Sequence, residues 1–347
     1  MIKTIGSCLL ACALFASSAA VVSAQPVLRA STYLPPTHYL SKFWQDVVDE
    51  MNVAADGAAM IKLYGSEALG KSTEQWEIVQ EGLADISFTV SAPFYPSRLT
   101  LNSFIELPFV SQDAVTSNKV IQRLLEKDLL KSEFKGVVLL AAYNTPPAQL
   151  FSNKSLNEFA DFNGLRIVGQ GPVWTQTWSL LGAQGISMGW PDIYLALERG
   201  TIDAAPGNWA ASKGWKWAEV AEYPVEIGIM GGFFNAVIAN PNSWGSLPAE
   251  VRTKWMEILN GVPARIAVLA NENEDFGRAY AREVGREIKE FPPAERQKVA
   301  ENLLPIWEDW LERNEASGKP ATEVYQTYLE VMKEEGEAVV MKLPGLF

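Results

Sequence analysis

Hydrophobic positions recur along this chain at two spacings, and their alternation outlines the fold. A β-rich run at 27–31 precedes Phe43, Val47, Val48 and Met51 at helical spacing, which predicts a helix over 41–52. Strand-like runs at 59–63 and 86–90 flank a turn at 65–70 and a helix over 72–81, capped by Ser72 or Thr73. A helical pattern over 113–130 leads to a strand at 136–141, and the turn-rich Asn144-Thr-Pro-Pro-Ala148 reads as a hinge. Next, Leu165-Arg-Ile-Val168 is a short strand broken by Gly169-Gln-Gly171. Pro172 then suits the first turn of a helix over 173–181. A strand at 186–188, a helix over 191–199 and a third strand from Ile202 repeat the alternation, which implies a parallel sheet. A strand over 233–239 crosses back to the first sheet. Helices over 248–258, 263–291, 294–316 and 322–335 close the chain.

The expected fold class is therefore α/β: two lobes with mixed or parallel sheets, joined by crossing strands and a long helix. One lobe takes 25–145 and 234–265. The other takes 146–233 and 266–300, with the long helix spanning both, and 301–347 form a helical extension. In such folds a small molecule binds in the cleft, off the carboxyl ends of strands and beside helix N-termini. The strand exits at 168–171, 188–190 and 205–209 fit that description, and the last two carry Trp190 and Trp209.

Residues 1–24 read as a signal peptide. Lys3 precedes an apolar stretch from Cys8 to Ala20, and Val22-Ser-Ala24 is a small-residue cleavage site. A competing reading takes Leu9-Leu-Ala-Cys12 as a lipoprotein box anchored at Cys12. No later apolar run approaches the ~20 residues of a membrane span. Both cysteines lie in the leader, so the mature chain is expected to lack disulfides, thiolate metal ligands and a cysteine nucleophile. The net charge of −12 becomes −13 when Lys3 leaves (−12 − 1), which argues against nucleic acid as a partner.

Catalytic patterns fail on inspection. Gly185-Ile-Ser187-Met-Gly189 spells a hydrolase elbow, yet the single histidine, His38, lies upstream where a triad needs it downstream. His38 alone makes no metal site, and reads as a loop residue or an occasional ligand contact. Gly169-Gln-Gly171 is no dinucleotide motif, because Trp174 stands where the third glycine belongs. No cofactor is expected.

Several blocks in order resemble the DctP family, the solute-binding proteins of TRAP-type (tripartite ATP-independent periplasmic) transporters. They are Leu63-Tyr-Gly-Ser-Glu-Ala-Leu-Gly70, Val79-Gln-Glu-Gly82-Leu-Ala-Asp85, Glu106-Leu-Pro-Phe109, Phe162-Asn-Gly164-Leu-Arg-Ile, Ile193-Tyr-Leu-Ala-Leu-Glu-Arg-Gly200-Thr-Ile-Asp203 and Asn242-Ser-Trp244-Gly-Ser-Leu247-Pro248. The resemblance implies a two-lobed periplasmic receptor, with a monomer favoured. It would capture a small solute and deliver it to TRAP membrane permease subunits, with no catalysis.

One departure bears on the solute. The family's strand usually ends in an arginine that clamps a carboxylate; here that position is Val168, and Arg166 lies ~7 Å back along the strand. By the same resemblance Trp190 falls where an aromatic faces the ligand, and Asn208 where a ligand-binding asparagine stands. Trp209, Phe233 and Phe234 fall at or near further lining positions. Of Phe233 and Phe234 only one should face the site, because strand side chains alternate. Half of the twelve tryptophans lie between Trp174 and Trp217; Trp174 is a candidate cleft residue, while Trp215 and Trp217 read as lobe packing. An aromatic box without arginine favours a neutral or cationic solute, an amine or amino alcohol, since ring faces attract ammonium by ~0.5–2 kcal/mol. Glu106 and Glu67 are candidate counter-charges, and Tyr33, Tyr64 and Tyr95 candidate hydroxyls. The alternatives are a carboxylate receptor with a rearranged site, or an exported enzyme on the same architecture.

Overall fold

From residue 25 the chain runs β1 (Val27–Ser31), α1 (Tyr39–Ala54), β2 (Met60–Tyr64), α2 (Gln75–Gln80) and β3 (Ile86–Ser91), the β-α-β-α-β order its periodicity predicts. The structure, a computed structural model, describes residues 25–346. The expected signal peptide and Cys12 lie outside the described residues. Helix α1 buries Phe43, Trp44, Val47, Val48 and Met51 against the sheet. It starts two residues early because His38 caps it, Nδ1 accepting the Leu40 N–H at 3.3 Å. Helix α2 starts late: neither Ser72 nor Thr73 caps it, and the Ser72 N–H donates to Glu67 Oε1 at 2.6 Å. After α3 (Ala114–Glu126), β4 (Val138–Asn144) completes the first lobe's leading segment.

The second lobe holds β5 (Ala148–Ser152), β6 (Arg166–Val168), α4 (Gly171–Leu180), β7 (Gln184–Ile186), α5 (Ile193–Glu198), β8 (Ala204–Gly207), α6 (Trp209–Trp215), α7 (Trp217–Val220) and β9 (Tyr223–Met230). Then β10 (Phe234–Ala239) returns to the first sheet. It is followed by α8 (Pro241–Ser246), α9 (Ala249–Asn260), α10 (Val262–Glu283), β11 (Lys289–Glu290), α11 (Pro293–Ala316) and α12 (Ala321–Glu335). The first sheet has order β2-β1-β3-β10-β4, with β10 antiparallel to both neighbours. The second has order β11-β9-β5-β8-β6-β7. Strand β6 is parallel to β7 and β8, as the sequence implies, while β5 runs antiparallel to β8 and β9, so both sheets are mixed.

The chain crosses between lobes at 145–147 and again at 231–233, and the crossings bond to each other. Asn144 Nδ2 donates to the Gly231 carbonyl (2.7 Å) and the Phe233 N–H to Thr145 Oγ1 (2.9 Å). Helix α10 is the third tie, packing on α6 in one lobe and on α3 and β4 in the other. It ends at Glu283, not near 291. Gly285 takes φ +82, and the Arg286 and Gly285 N–H groups bond back to the Ala281 and Arg282 carbonyls, a Schellman stop. The boundary drawn at 300/301 falls inside α11, which packs on α4 while α12 packs on α3. Trp307 and Trp310 donate their indole N–H to the Pro108 and Thr100 carbonyls at 2.9 Å, so these helices brace the lobes instead of extending from them.

Candidate functional site

Where the two crossings, α6 and the loop before α1 converge, the lobes enclose a small chamber. Tyr33, His38, Tyr39, Tyr143, Thr145 and Asn235 wall it from the first lobe; Trp190, Asn208, Trp215 and Trp217 wall it from the second, with Phe233 at the crossing. Its volume is about 40 Å³, room for roughly three waters. Its walls are buried: Asn208 is 1% exposed and Trp190 4%. The closing contact joins the lobes directly. Thr37 Oγ1 donates to the Gly214 carbonyl at 2.9 Å, and a Cβ on Gly214 would stand 2.7 Å from His38 Cα.

Rings make most of the wall. Trp190 meets Phe233 edge-on at 4.8 Å and lies 6.3 Å from Trp217; Trp217 stacks on Trp215 at 6.2 Å. Lys216, in the left-handed region at φ +61, ends α6 and folds these two indoles back together. Among the described residues, no lysine, arginine, aspartate or glutamate lines the chamber. Burial pushes His38 down to about 3, so its imidazole is neutral, and raises the Tyr33, Tyr39 and Tyr143 hydroxyls far above neutrality.

Asn208 is fixed from two sides. As N-cap of α6 its Oδ1 accepts the Ala211 N–H at 2.8 Å, while Glu274 on α10 takes the neighbouring Ala210 N–H at 2.8 Å. Burial holds the Glu274 carboxyl up at about 7 despite that bond and the Arg278 charge. The long helix therefore sets the position of the asparagine.

Of the residues singled out from the sequence, Trp190, Asn208, Phe233 and Tyr33 line the chamber together. Phe234 points to the opposite face of β10 and is wholly buried. Trp174 stands one layer behind, 4.9 Å from Phe233 and 6.4 Å from Trp190. Trp209 packs on Phe151 at 5.1 Å, inside the second lobe. Val168 is wholly buried off the chamber, its carbonyl accepting the Trp178 indole N–H at 2.8 Å. Arg166 is committed elsewhere: it binds both Asp203 oxygens (2.9 and 3.0 Å) and the Gly200 carbonyl, which also holds the Asp203 carboxyl below its usual range. Glu106 lies in a separate groove with Gln170, Thr100 and Arg313. Tyr95 accepts the Trp76 N–H, and Tyr64 lies under Lys62. Tyr39, Tyr143, Thr145 and Asn235 escaped the sequence reading. For Asn235 a signal existed, since strand alternation puts it on the face of Phe233.

Known proteins share this plan. The profile of the DctP family, "Bacterial extracellular solute-binding protein, family 7", matches residues 30–314. The chain belongs to that family. The C4-dicarboxylate-binding periplasmic protein DctP of Vibrio cholerae is 25% identical over 76% of this chain and 78% of its own. A TRAP solute-binding protein of Bordetella bronchiseptica, solved with bound (R)- and (S)-mandelate, superposes with a TM-score of 0.78 at 26% identity, over 89% of this chain and 99% of that one. A marine metagenome TRAP solute-binding protein in complex with 3-hydroxybenzoate gives a TM-score of 0.83 at 21% identity, over 90% and 99%. The protein is thus a TRAP-type periplasmic solute-binding protein, a family of receptors for small solutes that work with membrane permease subunits. Among the described residues no helix is long and apolar enough to cross a membrane.

Proposed function

We propose that this receptor captures a small neutral or cationic nitrogenous solute, an amine or amino alcohol, and hands it to a TRAP permease without chemistry of its own. The observation that carries the reading is the charge-free aromatic wall. The relatives named above bind acids, and burying a carboxylate without a cation costs several kcal/mol. Here the clamp position is Val168, Arg166 is spent on Asp203, and His38 is neutral. Ring faces, by contrast, attract an ammonium group by ~0.5–2 kcal/mol each without a counter-ion. The chamber's size favours a guest of only a few heavy atoms.

Isothermal titration of the mature protein against amines, amino alcohols, dicarboxylates and aromatic acids tests this. At least one amine should bind with micromolar affinity or tighter and the acids should not. Preference for a dicarboxylate or aromatic acid over every amine would overturn the solute assignment and leave the receptor role intact. Turnover of the bound solute would overturn the non-enzymatic part.

A further inference from the structure

Asn235 lies on β10 two residues beyond Phe233 and lines the chamber from the first lobe. Its Nδ2 donates to the Phe233 carbonyl at 2.8 Å. A carbonyl only accepts, so the amide has one possible orientation, and Oδ1 is the atom left over. That oxygen is buried and has no hydrogen-bond partner. Asn208, on the wall from the second lobe, is fixed the other way round. The Ala211 N–H can only donate, so it fixes Oδ1 toward the cap and leaves both NH2 hydrogens for a guest. Two more donors on that wall, the indole N–H groups of Trp190 and Trp217, are buried without partners. Buried polar groups normally find partners, and each one left unpaired costs ~1–3 kcal/mol. Of the buried atoms left unpaired on the wall, the first lobe thus offers the fixed acceptor Asn235 Oδ1 and the Tyr39 hydroxyl, which can donate or accept, while the second offers the two indole donors.

We propose that Asn235 and Asn208 read opposite ends of the solute, and that Asn235 is the residue that selects it. The donor end, a primary or secondary ammonium N–H, bonds to Asn235 Oδ1. The acceptor end, a hydroxyl or carbonyl oxygen, bonds to Asn208 Nδ2 and the indole N–H groups. This rests on the reading of the site as a receptor for amines, and narrows it to compounds that carry both groups. A quaternary ammonium has no N–H to give and leaves Asn235 Oδ1 unpaired. A simple alkylamine leaves the donors of the second lobe unpaired.

Titration calorimetry with the mature protein and four probes decides it: ethanolamine, choline, propylamine and succinate. Ethanolamine should bind tightest, with choline and propylamine each weaker by roughly tenfold or more. Asn235→Leu, similar in volume, should bring ethanolamine and choline to within about threefold of each other, chiefly by weakening ethanolamine. Choline binding the wild type as tightly as ethanolamine overturns the role of Asn235 and leaves the amine reading standing; this comparison needs no variant to fold. Propylamine matching ethanolamine overturns the role given to Asn208. Succinate binding best, or no amine binding, overturns the amine reading and this inference with it.

Discussion

Two hollows open onto the same interface between lobes, and they differ in where the charge is. The chamber holds rings, amides and hydroxyls and, among the described residues, no carboxylate, lysine or arginine. The groove beyond Trp174, about 420 Å³, holds Glu106 and Arg313. Trp174 is the partition: its ring packs on Phe233 on the chamber side, and its indole is next to Glu106 on the other. Val168, which stands where the family resemblance puts a carboxylate-clamping arginine, is wholly buried. The contrast implies that any positive charge on the guest is met by ring faces and a neutral amide, with the acid held one layer away.

The largest effect should come from putting the missing cation back. Val168→Arg forces a guanidinium into a wholly buried strand position that has no acid in the chamber to meet it. Amine binding should be abolished in titration calorimetry, and stability should fall by about 3 kcal/mol or more in urea unfolding. Retained amine affinity would show that the strand exit does not communicate with the guest.

Next comes Trp190→Ala. The indole touches Phe94, Trp174, Phe233 and Trp217, so the variant opens the box on several sides. Amine affinity should drop roughly hundredfold, and stability by about 3 kcal/mol. A smaller loss than Trp215→Ala would move the centre of the box to the α6–α7 corner.

Much of this arrangement was legible in the chain, and the gaps have physical causes. Periodicity located both β-α-β runs, the return strand and the last helices, because each buries one face of a repeating pattern. It missed β5 and β9, whose buried positions do not alternate cleanly; β9 bends at Gly228, φ +57. It ran α10 past Gly285 although that glycine is an ordinary helix stop. Trp190 was singled out at a strand exit and, like Asn208, by the family resemblance, and both stand on the chamber wall. Trp215 and Trp217 read as lobe packing. Only the left-handed Lys216 between them brings both to one wall, and a lysine announces no such turn. The orphaned Oδ1 of Asn235 could not be read at all, since its partner is a backbone carbonyl whose direction depends on the crossing.

A milder perturbation tests closure. Gly214→Ala adds a Cβ 2.7 Å from the His38 backbone, on the contact that joins the lobes around the chamber. Amine affinity should fall roughly tenfold through faster dissociation, with little change in unfolding midpoint. An unchanged off-rate would mean that this contact does not limit release.

The smallest effect on binding should come from the acid itself, and it separates the two hollows most cleanly. Glu106 is 2% exposed, one of its oxygens has no partner, and burial pushes its carboxyl well above the usual range even though the Phe234 N–H and the Trp174 indole pull it down. An unfolded glutamate titrates near ~4.3. Between that value and its raised folded value the native state holds a proton the unfolded state has lost. Stability from Glu106 is therefore complete below the unfolded pKa and declines as pH rises, by up to about 1.4 kcal/mol per pH unit. Glu106→Gln fixes the neutral form, so the two unfolding curves should coincide near pH 4 and separate toward pH 8, with the glutamine variant more stable. Amine affinity should stay the same across that range, because rings and Asn235 hold the guest. A loss of affinity in Glu106→Gln that grows with pH would make the acid the solute's counter-charge and merge the groove with the chamber.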